Sequence, residues 1–167
     1  LEKEAAAKAL RRHGVSVNIP AYHPPRPPKN ATEIEGYVKA KDATVRKDVA
    51  KFLAGRKGVG NFLTQLANDP DSEVRKSAVE AMGWNGDVNI YDYLQDSDLD
   101  VLITALDGIR RSSIGTGQGL IPLLQHPDAE VRLRATQALA SLNKLSTLQK
   151  DSLVAACSDP DERIRMA

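Results

Sequence analysis

The chain has 167 residues, 41% hydrophobic and 27% charged, enough for one globular unit whose core needs no staples. The single Cys157 excludes a disulfide framework, and 23 basic against 22 acidic side chains give a formal net charge of +1, so no global field points toward nucleic acid, an anionic membrane or an acidic substrate. No run approaches the ~20 apolar residues of a membrane span, and the start Leu1-Glu-Lys-Glu-Ala-Ala-Ala-Lys8 lacks the apolar centre of a signal peptide, so a cytoplasmic setting is expected. Because the chain opens on Leu1 and not on Met, that expectation leaves room for a removed leader.

Residues 1–13 are almost all Ala, Leu, Lys, Arg and Glu, with Glu4 and Lys8 four apart in the favourable order for a helix-surface pair. This predicts a short helix ending near Gly14, of a composition also used in helical spacers. Val15 to Asn30 then carries Pro20, Pro24, Pro25, Pro27 and Pro28, which removes backbone donors too often for a helix or central strand. Residues 1–29 are therefore read as an N-terminal helix and Pro-rich arm, and 30–167 as the folded domain. Pro24, Pro27 and Lys29 satisfy Pro-x-x-Pro-x-Lys, a pattern that aromatic grooves of the SH3 type accept because polyproline is preordered; a stiff spacer is the simpler account. Tyr22 and His23 would pack the arm back onto the domain.

From residue 30 onward one phrase recurs, an Asp three residues before a Val or Ile that is usually followed by Arg. It occurs at Asp42/Val45/Arg46, Asp71/Val74/Arg75, Asp98/Val101/Leu102, Asp128/Val131/Arg132 and Asp161/Ile164/Arg165, with 27 to 33 residues between successive Val or Ile positions. A repeat of about 30 residues follows, each unit a pair of helices. In the best-preserved unit Gly60 to Asp69 is the first helix, Asp69-Pro70-Asp71 the turn, and Ser72 to about Met82 the second helix, with Gly83 as its stop. Asp42, Asp71, Asp98, Asp128 and Asp161 fall at helix N-caps, where a carboxylate takes up orphan amides. Ala78, Ala105 and Ala135, then Ala81, Gly108 and Ala138, then Met82, Ile109 and Leu139 lie four, seven and eight residues after the Val. Those spacings share one helical face, which a single pair cannot bury, so the pairs must stack. Ile90, Tyr93 and Leu94, then Leu120, Ile121, Leu123 and Leu124, then Leu148, Leu153 and Val154 supply the later first helices. The last unit holds less than two turns of its second helix and leaves that end unsealed, which suggests a continuing chain, or a partner or a second copy (end-to-end self-association) covering this end.

The cadence Asp-Pro-Asp-x-x-Val-Arg-x-x-Ala-x-x-Ala-Leu resembles short HEAT repeats, the form also found in the phycobilisome-lyase HEAT-like family, over roughly residues 30–167. The resemblance implies an all-α solenoid of about five antiparallel helix pairs, the last incomplete. It also implies that Arg46, Arg75, Arg132 and Arg165 join a polar ladder between successive turns, interrupted at Leu102, where apolar contact or extra flexibility is expected.

The remaining motifs point away from catalysis. Gly115, Gly117 and Gly119 alternate, yet they follow a helix where a phosphate loop should follow a strand, so they read as a connection between units. His13, His23 and His126 share no ligand spacing with Cys157, which reads as a small buried residue. Neither metal nor cofactor is expected. Most Asp residues are committed to caps and turns, and the His-Glu pairs of HEAT-like hydroxylases are missing, so the chain is read as non-enzymatic. Trp84 is either a wedge between units or an exposed anchor of the kind enriched at interface hot spots.

Positions two, six and nine after each Val point away from the core face, and in stacked repeats that face lines the concave groove. Lys47, Lys51, Lys76, Glu80, Ile103, Asp107, Arg110, Leu133 and Gln137 are the candidate partner-binding residues. They grade the groove from basic to apolar, toward Met166, and so suit a peptide or helix of another protein. The alternatives carried by the resemblance are a nucleic-acid-binding repeat similar to HEAT-like alkylpurine DNA glycosylases and a bilin-lyase-type subunit. Lys47, Lys51, Lys76, Arg110 and Arg134 would serve the first, but with a single Trp nucleic acid is disfavoured.

Overall fold

The structure, a computed structural model, describes residues 26–167. The helix expected over 1–13, together with His13, Tyr22, His23 and Pro24, lies outside the described residues. From Arg26 to Lys29 the backbone is irregular. Asn30 then caps α1 (Ala31–Val38) by accepting from the Glu33 amide. There follow α2 (Ala43–Phe52), α3 (Gly60–Ala67), α4 (Ser72–Asn85), the 3-10 helix η1 (Val88–Gln95), α5 (Leu99–Ser112), a second 3-10 helix η2 (Gln118–Gln125), α6 (Ala129–Ala140), α7 (Thr147–Ala156) and α8 (Glu162–Arg165). Among the described residues there is no strand.

The elements pair as α1/α2, α3/α4, η1/α5 and η2/α6, while α7 and α8 both pack on the fourth unit. The second members form one row in which α2 meets α4, α4 meets α5, α5 meets α6 and α6 meets α8. Behind them α3, η1 and η2 pack on the second helices of their own units. This is the expected α-solenoid. Each second helix starts at the Asp of the repeated phrase: Asp42, Asp71, Asp98, Asp128 and Asp161 each accept from the amide two residues on, at 2.8–2.9 Å. Removing such a cap costs about 0.5–2 kcal/mol. Val74, Ala78, Ala81 and Met82, with their counterparts in α5 and α6, are buried in one continuous core.

Four expectations need correction. Gly83 does not stop α4, which runs on to Asn85 and ends at Gly86, where φ of 64° is the left-handed conformation that glycine tolerates. Gly83 is instead a contact residue: a Cβ there would stand 2.6 Å from the Cα of Gly108, so the bare backbones of α4 and α5 touch. The first elements of the third and fourth units are 3-10 and not α. In η2, Pro122 lacks the amide an α-helix would use; with a rise of about 2.0 Å per residue, eight residues span roughly 16 Å where an α-helix would span about 12 Å. Leu148 and Val154 are 64% and 70% exposed, so the fifth unit buries less than its pattern promised. Cys157 is exposed at the end of α7, not a small core residue.

Candidate functional site

The Arg of the repeated phrase sits one residue past the Val or Ile, on the first turn of the second helix, and in Arg46, Arg75 and Arg132 it reaches the next unit. Arg75 donates from Nε and Nη2 to the two carboxylate oxygens of Asp96, both at 2.9 Å, while its Nη1 donates to the Asp69 and Pro70 carbonyls at 3.0 and 3.3 Å. Arg46 holds Asp69 in the same way at 2.6 and 2.8 Å, and Arg132 holds Asp159 at 2.9 and 3.1 Å. One edge of each guanidinium thus clamps its own turn and the other grips the following unit, the two-pronged geometry in which Arg is strongest. Each receiving Asp also accepts from the amide two residues on. The bond from Arg75 holds the Asp96 carboxyl below the usual range. At Asp69 burial pushes the carboxyl up, but Arg46 and the Asp71 amide more than offset it.

The junction between the third and fourth units lacks both members of a rung. Leu102 is buried in place of the Arg, and the position that should receive it, two residues before Asp128, is His126. His126 keeps the local turn, its Nδ1 accepting from the Asp128 amide at 3.1 Å. Sequence reading found Leu102 and missed His126; the signal was the series Asp69, Asp96, His126, Asp159. Arg165 makes only the clamp on its own turn, to the Asp159 and Pro160 carbonyls at 2.8 and 3.0 Å.

The outward face of the second helices differs from the expected basic-to-apolar gradient. Lys47 pairs with Glu73 at 3.7 Å and Lys76 with Asp100 at 2.8 Å, so their charges are neutralised by the next helix. Farther along, Arg134 bridges Asp107 at 3.1 Å and Glu130 at 2.8 Å, Arg163 reaches Glu130 at 3.1 Å, and Arg110 lies 3.6 Å from Asp107. At the apolar end Leu133 is buried and Ile103 is half-buried against the core. Gly83, at position nine, is also buried, and Met166 is 82% exposed. Lys51, Glu80 and Arg110 are exposed and Gln137 half-buried on the same helices. The face is therefore a strip dominated by paired charges, with Ile103 half-open among them and Met166 exposed at its end.

Trp84 is 58% exposed and so is not a wedge between units. Its ring carries the Arg111 guanidinium, Cζ 4.2 Å from the centroid. Across from it, a cleft of about 420 Å³ separates Trp84 from Arg56 and Lys57 in the loop after α2. On the arm, the Arg26 fork and the Lys29 amide all donate to Glu33 at 2.9–3.2 Å, leaving Pro27 exposed. Gly115 to Gly119 is a packed connection: the Tyr91 hydroxyl donates to the Ile114 carbonyl at 2.8 Å and the buried Gln149 amide donates to the Thr116 carbonyl. Among the described residues no three His, Cys, Asp or Glu side chains group closely enough to hold a metal ion, and no helix is long and apolar enough to cross a membrane.

The family model of the HEAT repeat matches residues 59–83, from the residue before α3 to the Gly83 contact in α4. A comparison with curated proteins found no match. The matched pair stacks on its neighbours through caps and a core face that recur along the domain, with Arg–Asp rungs at three of its junctions, and the match supports a HEAT-like repeat protein.

Proposed function

We propose that this chain is a non-enzymatic scaffold that binds a peptide or helix of another protein along the outward face of its second helices. HEAT repeats generally serve protein interaction. The observation that carries the finer reading is the row of ion pairs between successive second helices, Lys47–Glu73, Lys76–Asp100 and Arg134–Asp107. Exposed pairs such as Lys47–Glu73 and Lys76–Asp100 contribute only about 0–1 kcal/mol, so a partner that supplies its own charges displaces them at little cost, while the part-buried Arg134–Asp107 pair is held more firmly. Ile103 lies between them as the one half-open apolar contact. Lys51, Glu80, Arg110 and Gln137 complete the strip, and the buried Leu133 belongs to its support.

The same pairing weighs against a nucleic-acid ligand on this face, which would need cations free of carboxylates along its length. No structural observation favours the bilin-lyase reading. End-to-end association of two copies would set the open edge of Arg165 against Ala40, the first unit's residue at the Asp position, which has no carboxylate. The groove therefore takes precedence over the end of the stack.

The test is affinity capture with the wild-type protein and an Ile103→Asp variant, at low and at raised salt. The expected result is a protein partner retained across that salt range and lost with Ile103→Asp, with the melting temperature little changed. Capture that is indifferent to Ile103→Asp, or binding that falls steeply with salt and follows nucleic acid, would count against the proposal.

A further inference from the structure

Arg26, Arg46, Arg75, Arg110, Arg132, Arg134 and Arg163 all pair with a carboxylate. Arg56, Arg111 and Arg165 show no ion pair with a carboxylate among the described residues; Arg165 clamps the carbonyls of its own turn, whereas Arg56 and Arg111 each lie on an aromatic face, Arg56 at 3.8 Å from the Phe52 ring centroid and Arg111 at 4.2 Å from that of Trp84. Both belong to the edge of the stack where second helices end and loops begin. Trp84 and Arg111 occupy equivalent places, ten residues after Val74 and Val101, and the bare contact of Gly83 with Gly108 brings their helix ends together.

The opposite wall is fixed as firmly. Asn85, next to Trp84, accepts from the Gly55 amide and donates to the Leu53 carbonyl at 3.2 Å, which ties the loop after α2 to the end of α4. That tie sets Arg56 and Lys57 across the 420 Å³ cleft from Trp84. The cleft has one carboxylate, Asp87, and one of its oxygens caps η1 by accepting from the Asn89 amide at 3.0 Å.

We propose that this cleft binds an acidic peptide segment of a partner protein, its carboxylates on Arg56 and Lys57 and an apolar side chain on the exposed part of Trp84, whose ring Arg111 backs from outside the cleft. Charge complementarity selects the occupant. Guanidinium groups without a partner carboxylate favour charge-assisted hydrogen bonds, and an exposed Trp supplies an apolar anchor. A single-stranded nucleic acid would need a cationic track beyond Arg56 and Lys57, and Lys47, Lys76 and Arg134 of the second-helix face are already paired. The site is separate from the second-helix face and does not depend on Ile103.

Trp84 is the only Trp of the chain, so its fluorescence reports on this cleft alone. The experiment titrates the full chain with an acetylated peptide of six glutamates around one leucine, and in parallel with an oligothymidylate of equal charge. The expected result is a saturable change in Trp84 emission with the peptide, with affinity weakened on the order of tenfold or more in an Arg56→Glu/Lys57→Glu variant. Asn85→Ala should weaken it as well, by releasing the loop, and circular dichroism should show both variants folded. No saturable change with the peptide, an equal response from the folded charge-reversed variant, or tighter binding of the oligothymidylate would each overturn the proposal.

Discussion

Arg75 and Leu102 hold equivalent positions in successive units, and the difference between them shows what a rung requires. The carboxylate that Arg75 grips, Asp96, is one-tenth exposed or less, and its counterpart opposite Leu102 is not an Asp but His126. Losing one member of a buried pair strands the other, at about 3–5 kcal/mol, whereas exchanging both for a neutral set is far cheaper. We therefore expect Arg75→Leu to lower stability by roughly that amount, and Arg75→Leu/Asp96→His, which copies the natural break, to recover most of it in denaturant unfolding. The pH dependence follows from the same pair. The folded Asp96 carboxyl lies below its ordinary value, so its contribution is present above the unfolded pKa of about 4 and is lost as pH falls through the folded value. Acid titration of stability should accordingly be shallower in the double variant than in wild type below about pH 4. Leu102 was legible in the sequence because it interrupts a repeated phrase. His126 was not, since its partner is defined only when units stack.

Helix starts were more legible than helix ends. A cap carboxylate three residues before a core Val is a local signal, whereas the end of α4 offered two glycines, Gly83 and Gly86, and only the folded backbone separates them. Gly86 supplies the left-handed residue, and Gly83 the close approach to Gly108. Alanine favours a helix interior over glycine by about 1 kcal/mol, so Gly83→Ala would stabilise α4 if propensity decided the outcome. Contact decides it here: with Gly108 Cα 2.6 Å from the new Cβ, α4 and α5 must separate, and we expect a loss of about 1–3 kcal/mol by thermal unfolding. The same change should move Trp84 away from Arg111 and shift its emission. Periodicity located the buried Ile90, Tyr93, Leu94, Leu120 and Leu124 but not the 3-10 winding of their elements, because these short apolar runs fit either helix.

At the scale of the whole molecule, stacked units contact only their neighbours, so architecture was readable from the repeat while the surface was not. The charges expected to make one end of the groove basic are paired across units, Lys47 with Glu73 and Lys76 with Asp100, and such pairs exist only once the helices lie side by side. Trp84 likewise acquires its cationic surroundings from Arg111 in the next unit and from Arg56 and Lys57 in the previous loop. The central functional claim is that the second-helix face meets another protein. It is tested most directly by placing a photo-reactive residue at Ile103 and cross-linking in the cells that make the protein. The account predicts a discrete protein adduct that disappears when Lys76→Glu is added. Adducts to nucleic acid, or no adduct at Ile103 while the same residue placed elsewhere on the chain yields one, would contradict it.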